Sequence, residues 1–452
     1  MDAGEPMRHA GTFPRSASAG ARGRLGLLLA FSIGAAALSG LLFGFDTAVI
    51  AGVTDDLRHV FALNPAWLGV TVSVALWGTL VGALGSGVPG DRFGARAGLK
   101  IMALFYLLSA LGCALAPNWP IFTLARFIGG IAIGGSSVLA PVYIAEISPA
   151  NLRGRLVGLF QLSIVSGILL AYLSNALLAG WAGGPESWRW KLGVAAVPAV
   201  ILLLIFQALP NSPRWLAMKG RKDEATRTAS RLGISISDMA RAEPSTARLS
   251  FATYKRPILL AVSLAAFNQL SGINAILYYL NDIFAAAGFG ALSAAWQAVA
   301  IGSVNLLFTI LGLWLADRIG RRPLLAIGGV GMACSLLATA MIMLGAAPRE
   351  LLLAALVAFI AFFAMSQGAV IWTYISEIFP QEVRARGAAL GSGTHWFMNA
   401  LISGIFPAIA ASSAAAPFVF FALAMGAMTA CVLRYYPETK GVPLDDLKVS
   451  QH

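Results

Sequence analysis

An all-α membrane protein, with twelve transmembrane helices in two pseudo-symmetric six-helix halves, is the fold class this sequence predicts, on three observations. Lys and Arg number 32 and Asp and Glu 20, together 12% of 452 residues, where a soluble protein carries roughly a quarter. Apolar stretches of spanning length recur along the whole chain. Two different polar motifs return at nearly the same offset in its second half. With 58% hydrophobic residues the chain cannot present a wettable surface as a globule. A soluble enzyme, a disordered chain and a disulfide scaffold are thereby excluded. The 48 glycines suit helices packed closely in lipid.

In order, the apolar stretches lie near 26–52, 67–89, 98–116, 120–145, 155–179, 191–209, 257–284, 293–316, 324–346, 351–376, 387–411 and 417–434. A helix needs about 20 such residues to cross. Residues 1–25 read as a cytoplasmic N-terminus, in which Arg8, Arg15, Arg22 and Arg24 precede an apolar run too long for a signal-peptide core. The first helix is therefore expected to be retained. Residues 26–210 form the N-terminal half and 257–434 the C-terminal half. Between them, 211–256 reads as a cytoplasmic loop with short amphipathic helices, since Trp215, Leu216 and Met218, then Ala225, Ala229 and Leu232, recur at helical spacing. Residues 435–452 are a cytoplasmic tail. On this topology the cytoplasmic segments hold 27 Lys and Arg and the outer segments four: Arg58, Arg189, Lys191 and Arg349. That asymmetry is the positive-inside signature. It assigns the net charge of +12 to topology and contact with the lipid bilayer, and leaves nucleic acid no role. Cys113, Cys334 and Cys431 sit in apolar spans without a CxxC pattern and read as small buried hydrophobes. His9, His59, His395 and His452 are too scattered for a metal site.

The internal repeat carries the next step. Gly90-Asp91-Arg92-Phe93-Gly94-Ala95-Arg96 follows the second span, and Asp317-Arg318-Ile319-Gly320-Arg321-Arg322 follows the eighth, 226 residues on. Glu146-Ile147-Ser148-Pro149 with Arg153 follows the fourth span; Glu377-Ile378-Phe379-Pro380 with Arg384 follows the tenth, 231 residues on. The chain reads as a duplicated six-helix unit, the arrangement of transporters that rock two halves about a central site. On the inner face, Asp91, Arg92, Glu146, Arg153, Asp317, Arg318, Arg322, Glu377 and Arg384 are candidate gating residues. Asp and Arg at helix ends pair with each other and with helix dipoles, and Glu146 and Glu377 can bridge to arginines of neighbouring loops.

Inside the membrane, ionisable side chains are costly and mark working sites. Asp46 in the first span and Arg126 in the fourth lie well inside, both about 10 Å below the outer surface at 1.5 Å per residue. They can meet. Burial raises a carboxylate's pKa and a nearby guanidinium lowers it, so a moving helix could load and release a proton on Asp46.

Gly90–Arg96, Asp317–Arg322, Pro210-Asn211-Ser212-Pro213-Arg214-Trp215-Leu216, Gln269–Tyr279 (QLSGINAILYY) and Pro437-Glu438-Thr439-Lys440-Gly441 resemble the sugar porters of the major facilitator superfamily, over about residues 30–445. Three positions depart from the family pattern: Asn211 where it usually has Glu, Ala95 where it has Arg, and Asn268-Gln269 where it has paired glutamines. The resemblance implies a transporter of monosaccharides, hexose or pentose, driven by sugar:proton symport, since proton-coupled members carry Asp where Asp46 stands and facilitative members commonly carry Asn. The alternatives are a facilitative uniporter and, less favoured because the tail from Tyr435 is short, a sensor. The resemblance also implies the sugar-contacting set. It comprises Gln161 in the fifth span, Asn268, Gln269, Asn274 and Tyr278 in the seventh, and Asn305 in the eighth. Gly368 and Trp372 in the tenth, and His395, Trp396 and Asn399 in the eleventh, complete it, with Phe43 lining the pocket. Neutral amides suit hydroxyls that both donate and accept, and 269, 274 and 278 keep roughly one helix face. Tyr278-Tyr279 is the expected outer gate and the Gly368 region the flexing inner one. A membrane enzyme would need a nucleophile, metal ligands or a carboxylate pair, and none lie near each other. No cofactor is implied. The expected partners are the sugar and the proton, the functional unit a monomer, and the location the plasma (inner) membrane, multi-pass, with both termini cytoplasmic.

Overall fold

The computed structural model of the chain describes residues 26–149, 152–181, 184, 186–234 and 248–441, with the backbone alone at 153–155. The expected N-terminal segment 1–25, and 442–452 of the tail, lie outside the described residues. The crossing helices are α1 (Leu27–Val49), α2 (Pro65–Gly85), α3 (Ala95–Ala114), α4 (Trp119–Ile147), α5 (Arg153–Trp181) and α6 (Ala196–Ala208, led by Ser187–Gly193) in the first half. The second half has α7a (Phe251–Leu270) with α7b (Ile273–Tyr278), α8 (Ala291–Ile319), α9 (Arg321–Met343), α10a (Leu352–Met365) with α10b (Gln367–Glu377), α11 (Arg384–Ser412) and α12 (Ala416–Tyr435). Eleven of these crossings contain a stretch long and apolar enough to cross a membrane. The remaining one, α11, is equally long but opens on Arg384 and Arg386 and carries Thr394, His395 and Asn399.

Local chemistry sets the helix starts. Asn64 accepts from Trp67 N at 2.9 Å with Pro65 in the first turn, and Asn118 accepts from Ile121 N at 3.1 Å with Pro120 behind it. Both are side-chain caps followed by a proline that lacks the N–H the helix end would leave unpaired. The loop helices expected from spacing are present as Pro213–Met218 and Lys222–Leu232, the second ending on Gly233 in the left-handed conformation.

Within the first half, glycine brings backbones together. A Cβ on Gly130 would lie 1.9 Å from Ala75 O and one on Gly134 2.0 Å from Thr79 O, so the Gly130-Ile131-Ala132-Ile133-Gly134 face of α4 admits only glycine against α2. Gly44 and Gly167 lock α1 to α5 in the same way, at 1.8 and 2.1 Å from Ile164 O and Leu41 O. The halves meet along α2 with α11 and along α5 with α8.

Two crossings are broken, and the sequence reading of continuous spans is corrected there. The seventh is interrupted at Ser271-Gly272, with Gly272 at φ +80°, where a Cβ would lie 2.2 Å from the Phe421 ring. A third short helix, Leu280–Ala286, follows Tyr279. The tenth breaks at Ser366, at φ −114° and ψ −92°, two residues before Gly368. Of the cysteines only Cys113 is buried; Cys431 is half-buried and Cys334 exposed on its helix, so burial fits one of the three expected.

Candidate functional site

Asp46 and Arg126 meet. Arg126 Nη1 donates to Asp46 Oδ1 at 2.6 Å, with the two side chains 4% and 15% exposed. Asp46 stands on the face of α1 turned to α4, where the sequence reading expected the two side chains to meet. Asp46 Oδ2 and Arg126 Nε have no hydrogen-bond partner among the described residues. A cavity of about 10 Å³ lies beside the pair, lined by Tyr106, Ser109, Cys113 and Leu192. The attraction between unit charges grows steeply as water is excluded, while the desolvation of both ions opposes it. Neutralising the carboxylate removes the attraction and leaves the arginine to find other acceptors.

Gln269 is the hub of a second cluster. Its Nε2 donates to Asn268 Oδ1 at 2.9 Å, and its Oε1 accepts from Asn274 Nδ2 at 2.9 Å. The same Nε2 lies 3.1 Å from His395 Nδ1 and 3.2 Å from Nε2. Being equally far from both nitrogens, it approaches the ring between them and along neither in-plane lone pair. Asn399 Nδ2 donates to Tyr278 OH at 3.4 Å, and Asn399 Oδ1 accepts from Ser403 Oγ at 3.1 Å. Aromatic rings close one side: Phe43 and Trp396 at 5.5 Å, His395 and Trp396 at 5.0 Å, Trp372 and His395 at 5.0 Å. The break at Gly272 lets Asn274 turn back to Gln269, so the contact does not come from a shared helix face. Gln161 on α5 and Asn305 on α8 make no hydrogen bond to this cluster among the described residues, and Trp372 is 39% exposed. Gly368 opens α10b, with Phe363 as its nearest neighbour.

Above this centre the outer ends of the helices surround a cavity of about 640 Å³. Tyr279 closes its floor. It is 1% exposed, stacks on Phe406 at 5.2 Å and donates to Ser403 O at 3.0 Å. Tyr172 of α5 donates across the halves to Leu277 O at 2.8 Å.

On the inner face the repeated motifs fall at helix ends as expected, but their partners differ in detail. Glu377 Oε1 accepts from Arg321 Nη2 at 3.0 Å and Oε2 from Thr439 Oγ1 at 2.6 Å. Arg321 also faces Asp317 at 3.5 Å. Arg318 lies over the Trp314 ring, and Arg322 donates to Val432 O and Leu433 O. In the first half, Asp91 O accepts from Trp215 Nε1 at 3.1 Å and Arg92 lies over Phe93. Glu146 Oε2 and the Arg384 Nε and Nη2 atoms are buried without a hydrogen-bond partner among the described residues, from which the Arg153 side chain is absent. Sequence reasoning missed Arg321 as the partner of Glu377, and Glu438, which the tail motif contained. Glu438 accepts from the backbone N–H of Arg321, Arg322, Thr439 and Lys440 at 2.9–3.0 Å. Burial pushes its carboxyl up, but these four donors hold it below the usual glutamate range.

The family model described as "Sugar (and other) transporter" matches residues 33–450. The glucose transporter GlcP of Staphylococcus epidermidis is 36% identical over 93% of this chain and 96% of its own. The D-xylose-proton symporter of Escherichia coli K12 is 33% identical over 91% and 94%. The major myo-inositol transporter IolT of Bacillus subtilis is 34% identical over 90% and 91%. Among solved structures, the xylose transporter XylE of E. coli in a partially occluded inward-open conformation superposes with a TM-score of 0.82, at 30% identity over 92% of this chain and 99% of that one. The proton:xylose symporter XylE bound to 6-bromo-6-deoxy-D-glucose gives 0.77, at 30% identity over 94% and 99%.

Proposed function

The chain belongs to the sugar (and other) transporter family of the major facilitator superfamily, and from that premise we propose that it carries monosaccharides by proton symport, with Asp46 as the proton-bearing group. It is an integral membrane transporter and not an enzyme. The observation that carries the coupling is the Asp46–Arg126 pair at 2.6 Å, buried between α1 and α4. Only in its ionised form does Asp46 hold Arg126 by charge, so protonation loosens α1 from α4 and release restores the lock.

Gln269, Asn274, Asn268 and His395 present donors and acceptors to sugar hydroxyls, with Gln161, Asn305, Tyr278 and Asn399 joining as the halves close. Phe43, Trp372 and Trp396 offer apolar faces to the C–H surface of the ring, and Gly368 lets α10b tilt. Sugar displaces the amide-to-amide bonds at the hub, exchanging one set of neutral hydrogen bonds for another at small net cost. Tyr278 and Tyr279 close the outer side. The loop residues Asp91, Arg92, Glu146, Arg153, Asp317, Arg318, Arg322, Glu377 and Arg384 steady the inner one. The halves that rock are 26–210 and 257–434, joined by 211–256. Both termini (1–25 and 435–452) are cytoplasmic, the membrane is the plasma (inner) membrane, and one chain is the working unit in the lipid bilayer.

The test is uptake of labelled monosaccharides into proteoliposomes with and without an inward proton gradient. Accumulation above the external concentration only when the outside is acid supports symport. Equilibration that ignores the gradient makes the protein a uniporter, and no uptake of any hexose or pentose removes the sugar assignment.

A further inference from the structure

The outer rim carries an ion pair that the transport residues above do not use. Arg58 Nη2 donates to Asp282 Oδ1 at 3.0 Å, across 224 positions of sequence and from one half to the other. Each partner is set on a short helix of different standing. Arg58 belongs to Thr54–Val60, which is fastened to the first half: Leu57 is fully buried, Asp56 accepts from Lys191 Nζ at 3.2 Å and from Ser187 Oγ at 3.5 Å, and Lys191 also donates to Gly52 O at 2.8 Å. Asp282 belongs to Leu280–Ala286, which begins directly after the gate tyrosine Tyr279 and is separated from α7b by the non-helical backbone there. One partner stands on a fixed post and the other on the segment that follows the gate.

From this placement we propose that Arg58 and Asp282 form an external latch that holds the outer gate shut, a role that rests on the alternating-access reading above. Two further features suit a latch and not a permanent tie. Both side chains line the outer cavity, 39% and 21% exposed, and although Asp282 Oδ2 is buried without a hydrogen-bond partner among the described residues, each charge has a route to water when the pair breaks. Arg58 also has Asp55 at 3.5 Å on its own helix. When the halves part, the guanidinium keeps a carboxylate and Asp282 passes into a water-facing cavity. No ion is stranded in an apolar place, so breaking the pair escapes the large penalty attached to a buried unpaired charge. Partly exposed pairs contribute little each and are weakened by salt, which fits a contact that opens in every cycle.

The experiment reads gate opening directly, without sugar or proton gradient. Leu68 is 1% exposed and lines the cavity on α2, next to the Gly69–Gly404 contact between the halves. In the full chain carrying Leu68→Cys, the rate of reaction with a membrane-impermeant maleimide added outside reports how often the outer side opens. The chain without that substitution is the blank for the native cysteines. Arg58→Glu and Asp282→Arg are each expected to raise the rate roughly threefold to tenfold. The double variant, which rebuilds the pair with its charges exchanged, is expected to return within about twofold of the parent. Single variants that both stay within about twofold of the parent, or a double variant that reacts no more slowly than the singles, overturn the latch. A chain that fails to take up sugar still gives this readout, so failure of the transport reading and failure of the latch are separable.

Discussion

Gly69→Ala tests how the outer side closes. Gly69 of α2 and Gly404 of α11 belong to opposite halves, and a Cβ on Gly69 would lie 1.9 Å from Gly404 O. Ordinary contact begins near 3.4 Å, so α2 and α11 would have to separate by 1.5 Å. The obstacle is backbone, which cannot rotate aside as a side chain can. Forced overpacking costs roughly 1–3 kcal/mol. Because the clash exists only when the halves are together, that cost falls on the closed state alone and shifts the closed-to-open ratio by about 5- to 150-fold. Gly404→Ala supplies the milder control: its Cβ would meet Ser73 at 3.0 Å from Oγ and 3.3 Å from Cβ, with the nearest backbone atom, Gly69 O, at 3.9 Å. In proteoliposomes, Gly69→Ala is expected to lower the maximal uptake rate at least fivefold while sugar still binds from outside, with Gly404→Ala much milder. A Gly69→Ala protein that turns over within about twofold of the parent would refute the wedge.

Asp46→Asn keeps an acceptor for Arg126 but cannot ionise, so sugar binding and exchange should persist while accumulation against a gradient disappears; accumulation that survives acidification outside would move coupling elsewhere, with His395 next. Gln269→Ala should weaken sugar binding more than Asn274→Ala, because Gln269 bonds Asn268 and Asn274 and touches His395, whereas Asn274 bonds Gln269 alone among the described residues. Each lost neutral hydrogen bond is worth about 0.5–1.5 kcal/mol, and calorimetry showing unaltered affinity in both would remove the cluster from the pocket. Glu438→Gln should lower the melting temperature in detergent at neutral pH. Since the folded pKa of Glu438 is depressed, its stabilisation is present above the ordinary glutamate value of about 4.3 and lost as pH falls through the lower folded value, so the gap between variant and parent should close in acid; a gap that is constant with pH would mean the carboxylate charge is immaterial.

The architecture was legible because apolar length, the bias of Lys and Arg and the repeated loops are each independent of packing. Asp46 and Arg126 were legible for a similar reason, since charges deep in apolar spans are few and helix rise fixes their depth. The amide hub was legible as a list of residues but not as a geometry. In an unbroken helix Gln269 and Asn274 would point about 140° apart. Their bond depends on Gly272 at φ +80°, for which the Ser271-Gly272 pair within an apolar run was the available signal. At the inner face the motif located the arginines without selecting among them. Arg318 turned to Trp314 and Arg321 to Glu377, a choice that depends on where the helix ends at Gly320. Arg58 and Asp282 were hidden because each reads as a loop charge, and nothing local links positions 224 apart.

The energetics of the contacts separate what must hold from what must move. Within the first half, helices approach until a single methyl on Gly44, Gly130 or Gly134 would collide with backbone, and such packing has no graded alternative. Within the second, the inner loop is tied to the tail through Glu438 and Glu377, each accepting several charge-assisted bonds. Across the halves on the outer side Gly69 approaches Gly404 as closely, but the polar ties among the described residues are of another kind: one tyrosine hydroxyl on a carbonyl and one partly exposed ion pair. Each is worth about 1 kcal/mol or less. A two-state machine needs its states within a few kcal/mol, so that a ligand's differential affinity decides between them. Were those polar ties several times stronger, neither a sugar on the amide hub nor a proton on Asp46 could release them.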